Sequence, residues 1–195
     1  MKPLVVVVVG PTAGGKSSLA IKIAKTLNGE VISADSMQIY KKMDIATAKV
    51  TAEEADGVVH HLIDFVEPWE SFSVARYKEL AADCIEDILS RGKLPVIAGG
   101  TGLYVDTVVN NTSFLGYEKS DIREKLIERM EKDGCEALYN ELLEFDRASA
   151  EKIHPNDSKR IIRALELYYS TGLTMTRQRE LSHLDESAYK FCIIG

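Results

Sequence analysis

The chain has 195 residues, of which 45% are hydrophobic and 28% are charged, a globular composition that excludes long disordered, collagenous or low-complexity regions. Three scattered cysteines argue against a disulfide framework or a zinc cluster and favour a reducing compartment. The net charge of −6 argues against nonspecific coating of nucleic acid, although it leaves room for a local basic groove.

The first 113 residues alternate apolar runs with helical stripes. We predict buried strands at residues 4–9, 30–34 and 94–98, a short strand at 61–64, and a helix over 74–89. Leu19, Ile23 and Leu27 are spaced four apart and predict the buried stripe of a helix between the first two strands. A polar stretch through Lys49 has the character of a long functional loop. This alternation predicts a parallel α/β sheet. No apolar run reaches the roughly 18–20 residues that span a bilayer, so we expect no membrane association.

From about residue 114 the apolar pattern is helical throughout. Stripes at 122–130, 138–145 and 161–168 predict three helices, and Thr171-Gly172 marks the end of the last one. We therefore predict an α/β core at 1–113, an all-helical insert at 114–189 and a strand returning to the core at 190–195. We expect the intact protein to continue beyond that strand.

Residues 10–17 match the P-loop pattern G-x-x-x-x-G-K-[ST] between a predicted strand and a predicted helix. The predicted phosphate-binding residues are Gly10, Pro11, Thr12, Ala13, Gly14, Gly15, Lys16 and Ser17. Backbone N–H groups of such a loop converge on phosphate oxygens, and the helix N-terminus adds a favourable potential. Lys16 supplies a point charge, and Ser17 supplies a hydroxyl for Mg²⁺. A tight turn without a ligand is the less favoured alternative, and the identity of the phosphate compound stays open.

Two further loops follow the second and third buried strands. Because ligands of open α/β sheets lie at the carboxyl ends of the strands, Asp35 is expected near the P-loop, as a Mg²⁺ partner or a general base. An N-cap role for Asp35 is an equal alternative. The run Gly99-Gly100-Thr101-Gly102 permits a close backbone approach and offers one hydroxyl, although a glycine-rich turn alone explains it.

The insert contains one locally basic helix start, with Lys159, Arg160 and Arg163. The two arginines are three residues apart, so they share a helix face that flanks or opposes the apolar stripe. A solvated charged face is the simpler alternative. His60 and His61 are adjacent on a predicted strand and point to opposite faces, so they cannot chelate one metal together.

Six motifs occur in a fixed order together with a seventh, basic one. They are residues 10–17, 35–40 (Asp-Ser-Met-Gln-Ile-Tyr), 44–49 (Asp-Ile-Ala-Thr-Ala-Lys), 60–64 (His-His-Leu-Ile-Asp), 99–104 (Gly-Gly-Thr-Gly-Leu-Tyr), 153–157 (Ile-His-Pro-Asn-Asp) and 160–166 (Arg-Ile-Ile-Arg-Ala-Leu-Glu). The set resembles that of bacterial tRNA dimethylallyltransferases (tRNA isopentenyltransferases) over the whole chain. The resemblance implies a P-loop NTPase-like core with a tRNA-binding helical insert.

It also implies a cytoplasmic, monomeric prenyltransferase with Mg²⁺ as its cofactor. The implied reaction moves the dimethylallyl group of dimethylallyl diphosphate onto N6 of adenine-37, beside the tRNA anticodon. In this family the P-loop holds a prenyl diphosphate in place of ATP. Family members are about half as long again, and their additional core segment brings an arginine that helps to hold the diphosphate.

The resemblance implies that Asp35 is the catalytic base, that Thr101 helps to fix the adenine amine, and that Lys16 stabilises the leaving group. Ser36 and Gln38 have the donors and acceptors to grip the target base or its neighbour. The implied tRNA-binding residues are Asp35, Ser36, Met37, Gln38, Thr101, Arg123, Lys159, Arg160, Ile161, Ile162 and Arg163.

Two other functions share parts of this pattern. A nucleotide or small-molecule kinase would use the same P-loop, with the arginines of the insert as a phosphate-clamping lid. It would leave the motifs at 35–38 and 154–157 unexplained. A non-catalytic RNA-binding module is the second alternative, and it applies if the chain lacks part of the core.

Overall fold

The computed structural model describes residues 2–112, 121–182 and 186–195. The elements are β1 (Leu4–Val9), α1 (Lys16–Thr26), β2 (Gly29–Ser33), α2 (Ala52–Ala55), β3 (His60–His61), α3 (Val74–Ser90), β4 (Leu94–Gly99), α4 (Gly102–Val109), α5 (Ile122–Asp133), α6 (Cys135–Phe145), α7 (Arg147–Ala150), α8 (Ser158–Thr171), α9 (Met175–Ser182) and β5 (Lys190–Ile194). The chain divides into two compact units, Met1–Thr112 with Asp185–Gly195, and Ser113–Leu184. Within the described ranges, every helix is too short or too polar to cross a membrane.

The first unit is built on a parallel sheet with the strand order β3-β2-β4-β1-β5. Alternate residues of β1 enter two different cores. Val5 and Val7 pack with side chains of α3 and α4 on one face, and Val6 and Val8 pack with side chains of α1 on the other. A strand that is buried on both faces explains the unbroken valine run. The prediction of a parallel α/β sheet is confirmed.

The predicted buried stripe of α1 is wrong at two of its three positions, whereas Ile23 is partly buried and packs against the core. Leu19 and Leu27 are 39% and 56% exposed, whereas Ala20, Ile21 and Ala24 are buried. The alanines have side chains small enough for the helix backbone to lie close to the sheet, so the close-packed face of α1 is the one with small residues. Large apolar residues spaced four apart indicate a helix, but the spacing does not show which helix face packs against the sheet.

The second unit has its own helical core. Leu126 of α5, Leu138 and Leu142 of α6, and Ile161 and Leu165 of α8 are almost completely buried in one cluster. The three predicted stripes therefore lie on packed helices, while the short helices α7 and α9 were not predicted. The carboxylate of Asp157 caps α8 by accepting a hydrogen bond from the backbone N–H of Arg160 at 3.1 Å, and Gly172 ends the helix with a φ of 72°.

Candidate functional site

The P-loop connects β1 to α1 and ends in a left-handed turn. Gly15 has a φ of 75° and Ala13 a φ of 62°. The backbone N–H of Gly14 donates to the carbonyl of Pro11 at 3.1 Å, which closes the loop on itself. No side chain of the described residues caps α1 at Gly15, so the first turn of this helix presents its backbone donors to the solvent side. Such a helix start favours a bound anion.

Lys16 lies across this loop. Its ammonium Nζ donates to the carbonyl oxygen of Pro11 at 2.6 Å. The glycine run after β4 approaches the same group, because a Cβ added to Gly100 would lie 3.9 Å from Nζ. The ammonium group of Lys16 therefore lies beside the loop that follows β4.

The loops after β2 and β4 are joined by three hydrogen bonds. The backbone N–H of Thr101 donates to the carbonyl of Ala34 at 3.1 Å. The backbone N–H of Ser36 donates to Oγ1 of Thr101 at 2.9 Å, and the Thr101 hydroxyl donates to Oγ of Ser36 at 3.2 Å. Gly99 permits this approach, since a Cβ there would lie 2.2 Å from the carbonyl oxygen of Ala34.

Asp35 lies between these joined positions and is half-buried. Its Oδ1 accepts a hydrogen bond from the backbone N–H of Met37 at 2.9 Å, so the carboxylate orders its own loop as an Asx turn. The side chain also lines the cleft that the P-loop borders. The bond matches the predicted alternative in which Asp35 caps the turn that follows it, here residues 36–39.

Tyr77 of α3 contacts the ends of the segments that carry these loops. The sequence pattern predicts it only as a core residue of the helix. Its buried hydroxyl donates to the carbonyl of Ser33 at 3.1 Å, and its ring stacks on Tyr104 with centroids 4.0 Å apart. Burial raises the pKa of Tyr77, so the phenol stays protonated and remains a donor. Burial also raises the pKa of Tyr104, with smaller contributions from Tyr40 and the charge of Asp35.

The P-loop, Asp35 and the segment 46–50 enclose one cleft of about 690 Å³. Its lining residues are Thr12, Ala13, Gly14, Gly15, Lys16, Ser17, Ser18, Ile21, Asp35, Met37, Gln38, Ala46, Thr47, Ala48, Lys49, Val50, Glu54, Ala98, Gly99 and Gly100. The structure thus brings most of the predicted P-loop residues into one space with Asp35, Met37 and Gln38. Ser36 and Thr101 bond each other but are not among the residues that line this cleft.

Gln38 holds one wall of the cleft. Its amide Nε2 donates to the carbonyls of Thr47 and Ala48 at 3.2 and 3.0 Å, and its Oε1 accepts from the hydroxyl of Ser33 at 3.1 Å. In this structure the amide that was predicted to grip a base is engaged with the chain itself. Contact between Gln38 and a base stays a prediction.

Lys49, which also lines the cleft, fastens the same wall, a role that sequence reasoning missed. Its largely buried ammonium donates to the carbonyl of Tyr40 at 2.6 Å and to Oδ1 of Asp44 at 2.9 Å, and it also bonds Asp64. Burial opposes its charge, yet the hydrogen bonds with Asp64 and Asp44 raise the pKa of Lys49. The polar stretch that ends at Lys49 is therefore a tied loop.

The remaining predicted residues lie in the second unit. Lys159, Arg160, Arg163 and Arg123 are exposed on α8 and α5. Ile161 and Ile162 are 0% and 6% exposed and belong to the core of the unit. Contact between these two residues and tRNA stays a prediction, and their packed side chains do not support it.

Comparison with known proteins gives one consistent result. The family model described as IPP transferase matches residues 38–195, and that described as isopentenyl transferase matches residues 3–65. A tRNA dimethylallyltransferase of Oceanobacillus iheyensis is 51% identical, with 100% of this chain aligned to 62% of the relative. One of Caldanaerobacter subterraneus is 54% identical over 91% of this chain and 57% of the relative. The chain thus spans less than two thirds of the relatives' length.

Two solved structures are similar to the chain. A full-length tRNA isopentenylpyrophosphate transferase from Bacillus halodurans is 49% identical, with a TM-score of 0.59 over 88% of this chain and 57% of that protein. A eukaryotic dimethylallyltransferase acting on tRNA is 34% identical, with a TM-score of 0.81 over 98% of this chain and 47% of that protein. These similarities support the resemblance drawn from the motifs.

Proposed function

The chain belongs to the IPP transferase family, and from this premise we propose that it transfers a dimethylallyl group from dimethylallyl diphosphate to N6 of adenine-37 in tRNA. The observation that carries the proposal is the cleft in which Lys16 of the P-loop and the carboxylate of Asp35 face the same space. A phosphate-binding loop beside a general base is the arrangement that this transfer needs.

The P-loop would bind the diphosphate. Rupture of the allylic C–O bond leaves negative charge on the departing diphosphate oxygens. Backbone N–H groups at the start of α1 and the ammonium of Lys16 are oriented before the reaction, so they stabilise this charge as it develops. Lys16 would exchange its present bond with Pro11 for one with the phosphate.

The carboxylate of Asp35 would accept the proton. An exocyclic adenine amine is a weak nucleophile, and it must lose a proton as it bonds to the allylic carbon. Ala34 and Ser36, the residues on either side of Asp35, are both hydrogen-bonded to Thr101, and these bonds hold Asp35 in place. The adenine has to leave the stack of the anticodon loop to reach the cleft, as other base-modifying enzymes require.

The cleft also has donors that fit Mg²⁺, the cofactor we propose. Ser17 offers an exposed hydroxyl beside Lys16 on this cleft. Mg²⁺ prefers oxygen ligands and is commonly held by one or two side chains together with substrate phosphates. When bound, the ion would supply further neutralisation of the diphosphate charge.

The second unit would supply the surface for the anticodon stem-loop. Arg123 of α5 and Lys159, Arg160 and Arg163 of α8 are exposed cations in a chain of net charge −6. Phosphate contacts dominate the affinity of such surfaces and make it dependent on salt. We further propose that the protein acts as a cytoplasmic monomer, since tRNA is its substrate and one chain carries both the cleft and the basic surface.

The test is transfer of label. The chain is incubated with labelled dimethylallyl diphosphate, Mg²⁺ and unmodified tRNA, with Lys16→Ala as the matched inactive control. Label in the RNA at adenine-37 supports the proposal. A melting temperature raised by ATP but unaffected by dimethylallyl diphosphate would contradict it and favour a kinase. Binding of tRNA without transfer would favour an RNA-binding module.

A further inference from the structure

Two exposed arginines of the second unit share one carboxylate oxygen. Nη1 of Arg123 on α5 lies 3.1 Å from Oε2 of Glu166 on α8, and Nη1 of Arg163 lies 3.2 Å from the same Oε2. The side chain of Glu166 is only 12% exposed, whereas those of Arg123 and Arg163 are 46% and 52% exposed. The carboxylate therefore lies beneath two guanidinium groups that face solvent.

This arrangement differs from an ordinary surface ion pair. Arg163 and Glu166 are three positions apart on one helix, and an ion pair of this kind alone contributes little to stability. The bond from Arg123 crosses between helices, so the shielded carboxylate fixes both arginines relative to each other. Both arginine side chains stay about half exposed while they share one carboxylate, so their cations can still attract an anion.

A comparison within the same unit shows what is particular to this group. Glu141 also ties helices together, since its carboxylate bonds Arg129 of α5 at 2.6 Å and the hydroxyl of Tyr169 on α8. That carboxylate meets one cation, so the group is neutral and has the character of a structural tie. Only at Glu166, among the described residues, does one carboxylate bond two exposed arginines.

We propose that Glu166 is a positioning residue that holds Arg123 and Arg163 as a preformed clamp for backbone phosphates of an RNA stem-loop. The inference rests on the proposed function, because it names the RNA contact of the same protein. A long, mobile side chain loses conformational entropy when it binds a phosphate. If Glu166 has already ordered the two arginines, the RNA contact carries less of that cost.

For the variant Glu166→Gln, the proposal predicts a change in RNA affinity opposite in direction to the change that simple electrostatics predicts. Glu166→Gln keeps the shape of the side chain and removes one negative charge, so a purely electrostatic surface would bind RNA more tightly. Loss of positioning should instead weaken binding of an anticodon stem-loop RNA by about two- to tenfold, the cost of ordering one long side chain. The measurement is a titration by fluorescence anisotropy at several salt concentrations.

Two control variants and one double-variant background make the result specific. Glu124→Gln removes the same charge from an exposed position next to Arg123, and Glu141→Gln loosens the structural tie. Both should leave RNA binding unchanged or slightly tighter. In the Arg123→Ala, Arg163→Ala background, Glu166→Gln should no longer weaken binding. Equal or tighter binding by Glu166→Gln in the parent background would overturn the proposal.

A second readout needs no RNA. Phenylglyoxal modification, mapped by mass spectrometry, should be faster at Arg123 and Arg163 in Glu166→Gln than in the parent and unchanged at Arg177. Equal rates would refute positioning whatever the RNA result. If the parent fails to bind the stem-loop, the proposed function and the RNA half of this inference are both contradicted. Parent binding with no loss in Glu166→Gln contradicts the positioning role alone.

Discussion

The backbone N–H of Ser36 donates a hydrogen bond to Oγ1 of Thr101 at 2.9 Å, which fastens the loop after β2 to the loop after β4. A second bond, from the backbone N–H of Thr101 to the carbonyl of Ala34, lies on the other side of Asp35. The backbone of Asp35 is thus held at both neighbouring residues by one threonine. A residue that acts as a base needs this kind of fixed placement, since misplacement by about 1 Å can cost 10²-fold in rate.

Thr101→Val should slow the transfer step and lower stability. Valine has the shape of threonine but cannot accept the bond from Ser36, and an unpaired buried donor costs about 1–3 kcal/mol. We expect the lower end of this range because the site is only half-buried. Single-turnover rates and urea unfolding measure the two effects. Ser36→Ala is the control, because it keeps the backbone bond and should have the smaller effect. Equal effects of both variants would contradict the argument.

Asp35→Asn should lower the single-turnover rate by roughly 10²–10⁴-fold, the usual effect of losing an acid–base group. Asparagine keeps the acceptor oxygen that Met37 uses, so the Asx turn and the binding of tRNA and diphosphate should be retained. The rate is measured against Mg²⁺ concentration. Rescue by excess metal would show that Asp35 holds the ion and would refute its role as the base.

Lys16→Ala should weaken pyrophosphate binding by about 10- to 100-fold, since a hydrogen bond to a charged group contributes roughly 1.5–3 kcal/mol. Isothermal titration calorimetry with pyrophosphate and Mg²⁺ measures the change. Lys22→Ala is the matched control, because it removes an exposed lysine from the same helix α1. Equal affinity of the Lys16 variant and the parent would contradict a phosphate-binding role for this loop.

The sequence predicts the location of the site better than its internal ties. Strand ends define where loops converge, so the P-loop, Asp35 and Thr101 could be placed together from the strand pattern alone. The bonds of Tyr77 to Ser33 and of Lys49 to Asp64 join residues far apart in sequence. The local spacing of apolar residues therefore cannot predict them. The packed face of α1 was missed for a related reason, since tertiary packing selected alanines over leucines.

Gly99→Ala should destabilise the first unit. A Cβ at this position would lie 2.2 Å from the carbonyl oxygen of Ala34, so the ends of β2 and β4 would have to move apart. Overpacking of this kind costs about 1–3 kcal/mol, occasionally more. The midpoint of urea unfolding measures the cost. Gly102→Ala is the control, because no described atom lies within 4 Å of a Cβ there. Equal midpoints for the two variants would refute the close approach.

The last prediction concerns Glu30, which lies at the start of β2 and is only 2% exposed. Its carboxylate bonds both Nη atoms of Arg91, Nζ of Lys93 at 2.7 Å and, at 2.7 Å, Nε2 of His61. The hydrogen bond with Arg91 outweighs burial and, with Lys93 and His61, holds the pKa of Glu30 far below its usual range.

A lowered pKa in the folded state fixes the sign of the pH dependence. The unfolded chain binds a proton at Glu30 near the ordinary value of about 4.3, whereas the folded chain does so only at much lower pH. The contribution of Glu30 is therefore complete above pH 5 and is lost progressively as the pH falls below about 4.5. The free energy of unfolding of the parent should decrease over this acid range.

Glu30→Gln should remove that part of the pH dependence. At pH 7 we expect a loss of about 1–3 kcal/mol, less than for a fully buried pair because Arg91 and Lys93 remain partly solvated. Below pH 4.5 the curves of variant and parent should approach each other, because the unfolded parent binds a proton at Glu30 while the folded parent does not, and this proton uptake favours unfolding. Glu79→Gln removes the partner of Arg76 from an exposed pair and should leave the pH slope unchanged. The measurement is urea unfolding between pH 3 and 7. If the free energy of unfolding of Glu30→Gln changed with pH in parallel with that of the parent, the charged carboxylate of Glu30 would not stabilise the folded state.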